Sequence, residues 1–247
     1  MTMKIATRLY LAAPLAEGGT AALDAAQAHR LRNVLRLAAG AAVAGFNARD
    51  GEFLCRIAEL GRTGGSLTVE AQLRLPQSES DLWLLFAPIK RLRVDWLIEK
   101  GTELGVGAFV PVMTERTQPE RLNRERLAAH AISAAEQCER LSVPDIRPID
   151  KLSAIVDAWP EHRRLIVCDE TGGGAPLAEA LADFPPMASA AILIGPEGGF
   201  ARRELDALRN LPFVTTVGLG PRVLRAETAA LAAVAVCQAI AGDWRGG

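Results

Sequence analysis

The stretch from Ala190 to Phe200 constrains the fold of this chain more than any other. Ala190–Ile194 is a short apolar run between prolines, which is the pattern of a parallel strand covered on both faces. Gly-Pro-Glu-Gly-Gly-Phe at 195–200 predicts a loop, and a helix is predicted from Arg202 onward. Because ligands in open α/β sheets bind outside the carboxyl ends of strands, this loop is a candidate site. On its glycines alone, an ordinary tight turn fits equally well.

A second strand with a glycine-rich end follows. Val214–Val217 is rich in β-branched residues and leads into Gly-Leu-Gly-Pro-Arg-Val-Leu-Arg-Ala-Glu-Thr-Ala-Ala. Gly218 and Gly220 match the start of a dinucleotide-binding fingerprint, but Val223 stands where its third glycine belongs. No Gly-Lys-Ser/Thr follows any of these glycines, so the sequence also excludes a P-loop.

Three glycine-rich loops, at 169–174, 194–200 and 217–225, each follow a predicted strand. The carboxyl ends of parallel strands lie at one edge of a sheet, so we expect these loops to form the walls of one pocket. A pocket lined by glycine backbone admits a ligand closely and offers it amide donors and carbonyl acceptors.

The chain before residue 76 has a different pattern from the rest. Asp24 is a cap for a helix running to about Val34, and Ala41–Phe46 and Glu52–Glu59 flank an Asp-Gly turn typical of a hairpin. With Arg8–Leu11 and Ser66–Leu73 as further strands, this pattern predicts a small β-barrel-like domain at 1–76. The polar, proline-led stretch at 76–80 is the predicted linker.

From residue 77 to 247, strands and helices alternate, which predicts a mostly parallel sheet covered by helices. The predicted strands are Leu82–Phe86, Ala108–Val112, an extended piece near Asp145–Pro148, Leu165–Cys168, Ala190–Ile194 and Val214–Val217; the predicted helices are Leu92–Leu104, Arg124–Leu141, Leu152–Ala158, Leu177–Leu181, Arg202–Leu208 and Ala226–Ala241. The last helix is apolar on almost every side, so we expect it to be buried inside its domain or against a second subunit.

Composition excludes several classes of protein. The formal net charge of −1 argues against a generally basic surface, so any nucleic-acid contact must use local arginines. The four cysteines lack CxxC spacing and histidine partners, which predicts reduced thiols and no metal site. No uncharged run reaches the ~18 residues of a membrane span, and charges precede any signal-like core, so we expect a cytoplasmic protein without a membrane partner.

The two carboxyl-terminal loops resemble signatures of a known family. Gly-Pro-Glu-Gly-Gly-Phe at 195–200 and Leu-Gly-Pro-Arg-Val-Leu-Arg-Ala-Glu-Thr-Ala at 219–229 are similar to those of the RsmE family, the 16S ribosomal RNA uridine-N3 methyltransferases of the SPOUT superfamily. Four more blocks resemble the family in its order: Ala28–Leu37 with its HxxxVLR pattern, Glu99–Val106, Glu115–Gln118 and Glu136–Arg140. The resemblance thus covers nearly the whole chain.

The resemblance implies an architecture, a cofactor and partners. It implies a PUA-like RNA-binding domain at 1–76, and a SPOUT methyltransferase domain at 77–247 with a carboxyl-terminal trefoil knot and a homodimer interface. Its cofactor would be S-adenosylmethionine (SAM), and its substrate 16S ribosomal RNA in the small subunit. The implied cofactor-binding residues are Gly195, Pro196, Glu197, Gly198, Gly199, Leu219, Gly220, Val223, Leu224 and Arg225.

Methyl transfer to N3 of uridine requires removal of a proton and stabilisation of charge on the uracil carbonyls. We expect Arg225 to be the stabilising cation, with Arg222 and Arg116 behind it. The alternative for Arg225 is an ion pair with Glu227 or with another acid at a helix start. Glu197 is a candidate proton acceptor, although a structural role at the following helix start is also open.

Six arginines are candidate RNA contacts: Arg8, Arg30, Arg32, Arg36, Arg140 and Arg222. The part before residue 76 has nine basic residues against six acidic ones. A solvated helix face is the alternative for the three arginines of the Ala28–Leu37 block. Two other functions stay open, namely a SPOUT methyltransferase acting on another RNA target or atom and a non-catalytic RNA-binding protein. The intact glycine loops disfavour the second.

Overall fold

The computed structural model describes residues 5–118, 121–186 and 188–245. The chain divides into two compact units. The first unit is Met1–Ser78 with Ala135–Val143, and the second is Glu79–Ala134 with Pro144–Gly247. The division after Ser78 lies two residues from the predicted boundary, but no sequence pattern predicted that a later segment returns to the first unit.

The first unit is built on one sheet. Its elements are β1 (Arg8–Tyr10), β2 (Thr20–Leu23), α1 (Ala25–His29) continuing as a π-helical turn (Arg30–Val34), β3 (Ala42–Asn47), β4 (Gly51–Leu60) and β5 (Gly65–Arg74). The strand order is β1-β3-β4-β5-β2, with β1 parallel to β3 and the other pairs antiparallel. The predicted hairpin is therefore confirmed.

The predicted helix cap at Asp24 is also confirmed. Its carboxylate accepts the amide of Gln27, and the Gln27 side chain accepts the amide of Asp24, which forms a capping box. Leu31, in the π-helical turn, is fully buried in the core of the unit with Leu9 and Val43. The side chains on either side of Leu31, Arg30 and Arg32, therefore lie at the surface of the unit.

The second unit is a parallel sheet with helices. Its elements are β6 (Leu82–Phe86), α2 (Arg91–Glu103), β7 (Ala108–Met113), α3 (Arg124–Gln137, whose last residues belong to the first unit), β8 (Asp145–Ile146), β9 (Asp150–Lys151), α4 (Leu152–Asp157), β10 (Arg164–Cys168), β11 (Ala175–Pro176), α5 (Leu177–Ala180), β12 (Ala190–Ile194), α6 (Arg202–Arg209), β13 (Val214–Gly218), α7 (Ala226–Ala241) and a 3-10 turn (Asp243–Arg245). The order is β11-β13-β10-β12-β6-β7-β8, with β9 beside β7, and every pair is parallel. This confirms the predicted mostly parallel α/β fold.

Strand β12 lies near the centre of this sheet, which explains its apolar sequence. All five of its residues are buried, and Ala191 and Leu193 pack in a core cluster with Leu165 and Val167 of β10. Strand β10 lies between β13 and β12 and is parallel to both, so the carboxyl ends of these three strands lie side by side. The glycine loops therefore leave the sheet at one edge.

Helix α7 is buried on one face only. Ala230, Ala233, Val234 and Cys237 are buried, whereas Leu231 and Val236 are partly exposed. Gln238 is fully buried and satisfies both ends of its amide, accepting from the Ser80 hydroxyl at 2.8 Å and donating to the Leu104 carbonyl at 2.9 Å. Burial of the other face against a second subunit, the alternative that the sequence left open, stays a prediction.

Segment 135–143 completes the core of the first unit. Ala135 and Leu141 pack against Phe46, with Tyr10 beside them. Helix α3 ends at Gln137 rather than at the predicted Leu141. Glu139 has a left-handed φ of 63°, which ends the helix before Leu141. Arg8 then donates to the carbonyl oxygens of Ala135, Glu136 and Arg140 at 2.9, 3.1 and 3.1 Å, which the helix end leaves without amide partners.

The cysteines are free thiols, with Cys55, Cys168 and Cys237 buried, in agreement with the prediction. Burial raises the pKa of Cys55 to about 11 and that of Cys237 to about 12. Within 5–118, 121–186 and 188–245, no helix is long and apolar enough to cross a bilayer.

Candidate functional site

A cleft of about 680 Å³ lies at the carboxyl ends of β10, β12 and β13. Its walls are residues 168–172, 194–197 with Gly199, and 218–226 with Ala229, and Arg93 of α2 completes the lining. The three predicted glycine loops therefore meet in one cleft, in the size range of pockets that bind cofactors and other small molecules.

The loop after β10 is held by a buried carboxylate. The side chain of Asp169 is fully buried, accepts hydrogen bonds from the amide and hydroxyl of Thr171, and pairs with Arg209 at 2.5 Å. Burial alone would raise the pKa of Asp169, but the hydrogen bonds from Thr171 and Arg209 outweigh it and hold that pKa below its ordinary value. The carboxylate is thus ionised, and it fixes the start of this loop.

Glu170 joins two walls of the cleft. Its Oε1 accepts the backbone amide of Phe200 at 2.9 Å, which ties the loop after β10 to the loop after β12. Gly199 lies directly beneath that carboxylate with a φ of 67°, and a Cβ there would collide with Oε1 of Glu170. Position 199 therefore requires glycine for both its conformation and its space.

Gly198 differs in position from the other predicted cofactor residues, and its role in binding stays a prediction. It does not line the cleft, and a Cβ built on it meets only the Cβ of Arg116, at 4.0 Å. The other nine predicted positions do line the cleft: Gly195, Pro196, Glu197, Gly199, Leu219, Gly220, Val223, Leu224 and Arg225. Adjacent glycines are indistinguishable in sequence, and only the course of the loop separates their roles.

Arg225 lies at the start of α7, is exposed and lines the cleft. Among the residues that the structure describes, its guanidinium has no hydrogen bond or ion pair. The alternative of a pair with Glu227 is not observed, since Glu227 pairs instead with Nε of Arg93 at 3.5 Å. Arg225 is therefore a cation at the cleft whose donors are available to a ligand.

The other two predicted catalytic residues have protein partners. Arg116 donates to the carbonyl oxygen of Gly198 at 3.0 Å and does not line the cleft, so it supports the outside of the loop. Glu197 lines the cleft and pairs with Nη1 of Arg93 at 2.5 Å. These contacts favour supporting roles for both.

The contacts that two residues make at the cleft, Arg93 and Glu170, were not predicted. Arg93 is one of several charged residues on its helix, and Glu170 is one acid in a loop predicted only for its glycines. Their roles depend on partners 104 and 30 residues away in the chain, Glu197 and Phe200. No local pattern carries that information.

The comparisons with known proteins agree with the cleft. A model of the RNA methyltransferase domain matches residues 76–238. The ribosomal RNA small subunit methyltransferase E of Rickettsia conorii is 33% identical over 234 residues, 92% of this chain and 93% of the relative. This chain belongs to the RsmE family of RNA methyltransferases.

Further relatives of this family member include solved structures. The ribosomal RNA small subunit methyltransferase E of Bacillus subtilis is 28% identical over 88% of this chain and 89% of its own. The structure of the enzyme from Neisseria gonorrhoeae bound to SAM covers 96% of this chain and 99% of its own, with 28% identity and a TM-score of 0.84. A methyltransferase structure from Legionella pneumophila, also in complex with SAM, covers 97% and 99%, with 29% identity and a TM-score of 0.82.

The candidate RNA contacts of this RsmE family member differ in availability. Arg8 is the least available of them, because its guanidinium is about nine-tenths buried, pairs with Glu52 at 2.5 Å and donates to three backbone carbonyls. Arg30 pairs with Glu136, and Arg32 donates to the carbonyl of Gly61 at 3.2 Å.

Three arginines remain nearer to solvent. Arg36 is exposed, with a left-handed φ of 55°, and has no bonded partner among the described residues. Arg222 is exposed at the cleft. Arg140 is partly buried, and its backbone carbonyl accepts from Arg8. In the described ranges no group of three or more histidine, cysteine or acidic residues is placed to hold a metal ion. That the protein works without a metal stays a prediction.

Proposed function

We propose that this protein transfers a methyl group from S-adenosylmethionine to N3 of a uridine in 16S ribosomal RNA. The observation that carries the proposal is the cleft where three glycine loops meet, in a chain that belongs to the RsmE family. The names of the relatives and their SAM-bound structures support the RNA substrate and the cofactor.

The cleft fits the chemistry of SAM. Its volume suits an adenosyl group with a methionyl tail, and its walls are mostly backbone with the apolar side chains of Ile194, Leu219 and Leu224. The carboxylate of Glu170, which has no cationic partner among the described residues, lines the same cleft and favours a cationic sulfonium. The loops at 168–172, 194–199 and 218–226 would hold the cofactor, which supplies an activated methyl group whose leaving group needs no acid.

Arg225 would stabilise the charge that develops during the reaction. Uridine N3 is nucleophilic only after loss of its proton, and the negative charge then spreads onto the uracil carbonyl oxygens. A positioned cation can stabilise this charge, and removal of a single hydrogen-bond donor from an oxyanion site costs roughly 2.7–4 kcal/mol. Arg225 is exposed, unpaired and at the cleft, which supports this role, and Arg222 lies in the same wall.

We assign Glu197 a structural role at the cleft wall, because Arg93 holds its carboxylate. Arg116 likewise supports the loop through Gly198. Because of these contacts, we do not assign Glu197 as the proton acceptor or Arg116 as the cation that stabilises the uracil carbonyls.

The first unit would bind RNA as a PUA-like domain. The exposed Arg36, together with the partly exposed Arg30 and Arg32 of the same turn, supports this proposal. Val34 is 64% exposed beside them, so the turn presents both cations and an apolar surface. Arginines of this kind position an RNA through its phosphates rather than by its sequence.

A trefoil knot at residues beyond 164 fits the order of the strands. After β13 on the outer side of β10, the chain returns as α7 to pack against β12 and β6, and so crosses back over β10. A threaded α7 accounts for a buried Gln238 bonded to Ser80 and Leu104.

A homodimer through α2 and α7 would cover the apolar surface of these helices. The two helices pack together, Leu92 and Trp96 of α2 are 82% and 44% exposed, and the outer face of α7 carries Leu231 and Val236. Leu92 and Trp96 are four residues apart and share a face of the helix. A second copy is the partner we propose for it.

The decisive experiment analyses the nucleosides of 16S ribosomal RNA by mass spectrometry, with and without this protein. We expect 3-methyluridine to disappear without it, and to return with the wild-type chain but not with Arg225→Ala. An unchanged 3-methyluridine content contradicts the proposal, and loss of another methylated nucleoside identifies a different RNA target or atom. Since ribosomes are assembled in the cytoplasm, we propose that the protein acts there.

Calorimetry of SAM binding in EDTA tests the metal-free cofactor site. We expect the affinity to be unchanged by the chelator. Loss of binding in EDTA would show that a metal ion takes part in the site.

A further inference from the structure

Arg93 is the one side chain of α2 that lines the cleft. Its guanidinium contacts two carboxylates, with Nη1 at 2.5 Å from Oε1 of Glu197 and Nε at 3.5 Å from Oε1 of Glu227. Glu197 belongs to the loop after β12, and Glu227 to the first turn of α7. One arginine thus joins three elements at the wall of the cofactor cleft.

Glu227 is a buried carboxylate whose charge is only partly satisfied. Its side chain is 12% exposed, and its Oε2 is buried without a hydrogen-bond partner in the described part of the chain. Arg93 is the cation that offsets this charge. Without Arg93, an ionised Glu227 would need another positive partner, because a buried unpaired charge is strongly destabilising.

Arg225 is the cation available to replace Arg93. It begins the same helix two residues before Glu227, is exposed and has no bonded partner among the described residues. An ion pair with Glu227 or Glu197 would occupy its donors and turn it away from a ligand. In the observed arrangement both carboxylates are held by Arg93, and Arg225 is left unpaired.

We propose that Arg93 is a positioning residue that keeps Arg225 available to the RNA substrate by holding the carboxylates of Glu197 and Glu227. The proposal rests on the proposed function of Arg225. It predicts that Arg93 acts through these two acids, so removing the charge of the acid that captures Arg225 should offset the loss of Arg93.

Chemical labelling tests this without cofactor or RNA. The purified protein is treated with 4-hydroxyphenylglyoxal, which modifies accessible arginines, and peptide mass spectrometry gives the rate at Arg225 relative to Arg36. In Arg93→Ala we expect the rate at Arg225 to fall at least threefold. It should recover in Arg93→Ala/Glu227→Gln or in Arg93→Ala/Glu197→Gln, which identifies the capturing acid.

Methyl transfer by the same variants provides the second measurement. Arg93→Ala should lower kcat at least tenfold, and the double variant that restores labelling should restore most of it. Arg93→Lys keeps a positive charge and should retain labelling. Arg91→Ala is the matched control, because Arg91 is exposed on the same helix and does not line the cleft; it should leave both measurements unchanged.

An unchanged labelling rate at Arg225 in Arg93→Ala overturns the proposal. So does a loss that neither glutamine substitution restores, since that is the result of a purely structural role. If Arg93→Ala does not fold, Arg93→Met keeps the aliphatic stem and is judged by the same criteria. If the labelling rates change as expected but the wild-type protein methylates no RNA, the proposed function is contradicted and the role of Arg93 is not.

Discussion

The two units differ in how their arginines are bonded and in where their glycines lie. In the first unit, all the hydrogen bonds of Arg8 in β1 go to Glu52 and to three backbone carbonyls. In the second unit, glycine loops form the cleft, and Arg225 beside them has no bonded partner in the described part of the chain. The comparison shows that the role of an arginine cannot be inferred from the sequence alone. A run of glycines at the end of a strand, in contrast, indicates backbone that a ligand can approach.

The largest effect is expected from Arg225→Ala. If Arg225 stabilises charge only as it develops, its loss lowers kcat by roughly 10²–10³-fold and leaves SAM affinity within about threefold. Steady-state kinetics and calorimetry measure the two quantities. An equal loss of both would place Arg225 among the residues that bind the cofactor, and the second unit would then also use its arginine structurally.

The adjacent glycines of the loop after β12 provide a matched pair. Gly199→Val forces a branched side chain into a left-handed conformation and onto Glu170, so SAM affinity should fall by roughly 30–100-fold. Gly198→Val meets open space and should change the affinity by less than about threefold. Equal effects in calorimetry would show that the loop is not held as described.

The first unit allows a comparison of a buried and an exposed arginine. Arg8→Met removes the partner of Oε1 of Glu52 and of the carbonyl oxygens at the end of α3, while Oε2 of Glu52 keeps its pair with Arg74. We expect it to destabilise this unit by about 2–4 kcal/mol. Amide hydrogen exchange in β1 and in 135–143 measures the effect. All four tryptophans lie in the second unit, so their fluorescence should be unaffected at room temperature.

Arg36→Ala is the exposed counterpart of Arg8→Met. It should leave stability unchanged and weaken RNA binding severalfold, with the slope of log K against log salt reduced by about 1. Binding measured at two salt concentrations checks this. An unchanged slope would remove Arg36 from the RNA surface and leave the first unit without its most available cation.

The smallest effect concerns pH. The folded-state pKa of Asp169 lies below its unfolded-state value of about 3.9. Ionised Asp169 therefore stabilises the fold above that value, and this stabilisation is lost as the pH falls through the folded-state pKa. Asp169→Asn should flatten the pH dependence of unfolding below pH 4, as measured by urea titration. An unchanged dependence would show that the loop does not rely on this carboxylate.

Much of the fold could be predicted, because most elements carry their own signals. Strands Leu82–Phe86 and Ala190–Ile194 and helix Ala226–Ala241 have the predicted bounds, since each is bounded by proline, glycine or charge. Strand Thr20–Leu23 was missed because a short, alanine-rich segment has no clear period of its own. It becomes a strand only by pairing with Gly65–Thr68.

The site could be predicted where its chemistry is local to the backbone. Gly195, Gly199 and Gly220 line the cleft, as the position of their loops at strand ends predicted. The contacts of Arg93, Glu170 and Arg8 were not predicted, because they depend on partners far away in the chain. A charged residue is therefore best interpreted after the fold is known.

The return of residues 135–143 to the first unit affects how the protein is made. When Ser78 has been synthesised, Phe46 and Tyr10 still lack Leu141, which is added about 65 residues later. At ordinary rates of translation that interval lasts roughly 3–13 s. The core of the amino-terminal unit cannot therefore close until residues 79–134 of the second unit have been synthesised, whereas residues 144–247 follow later.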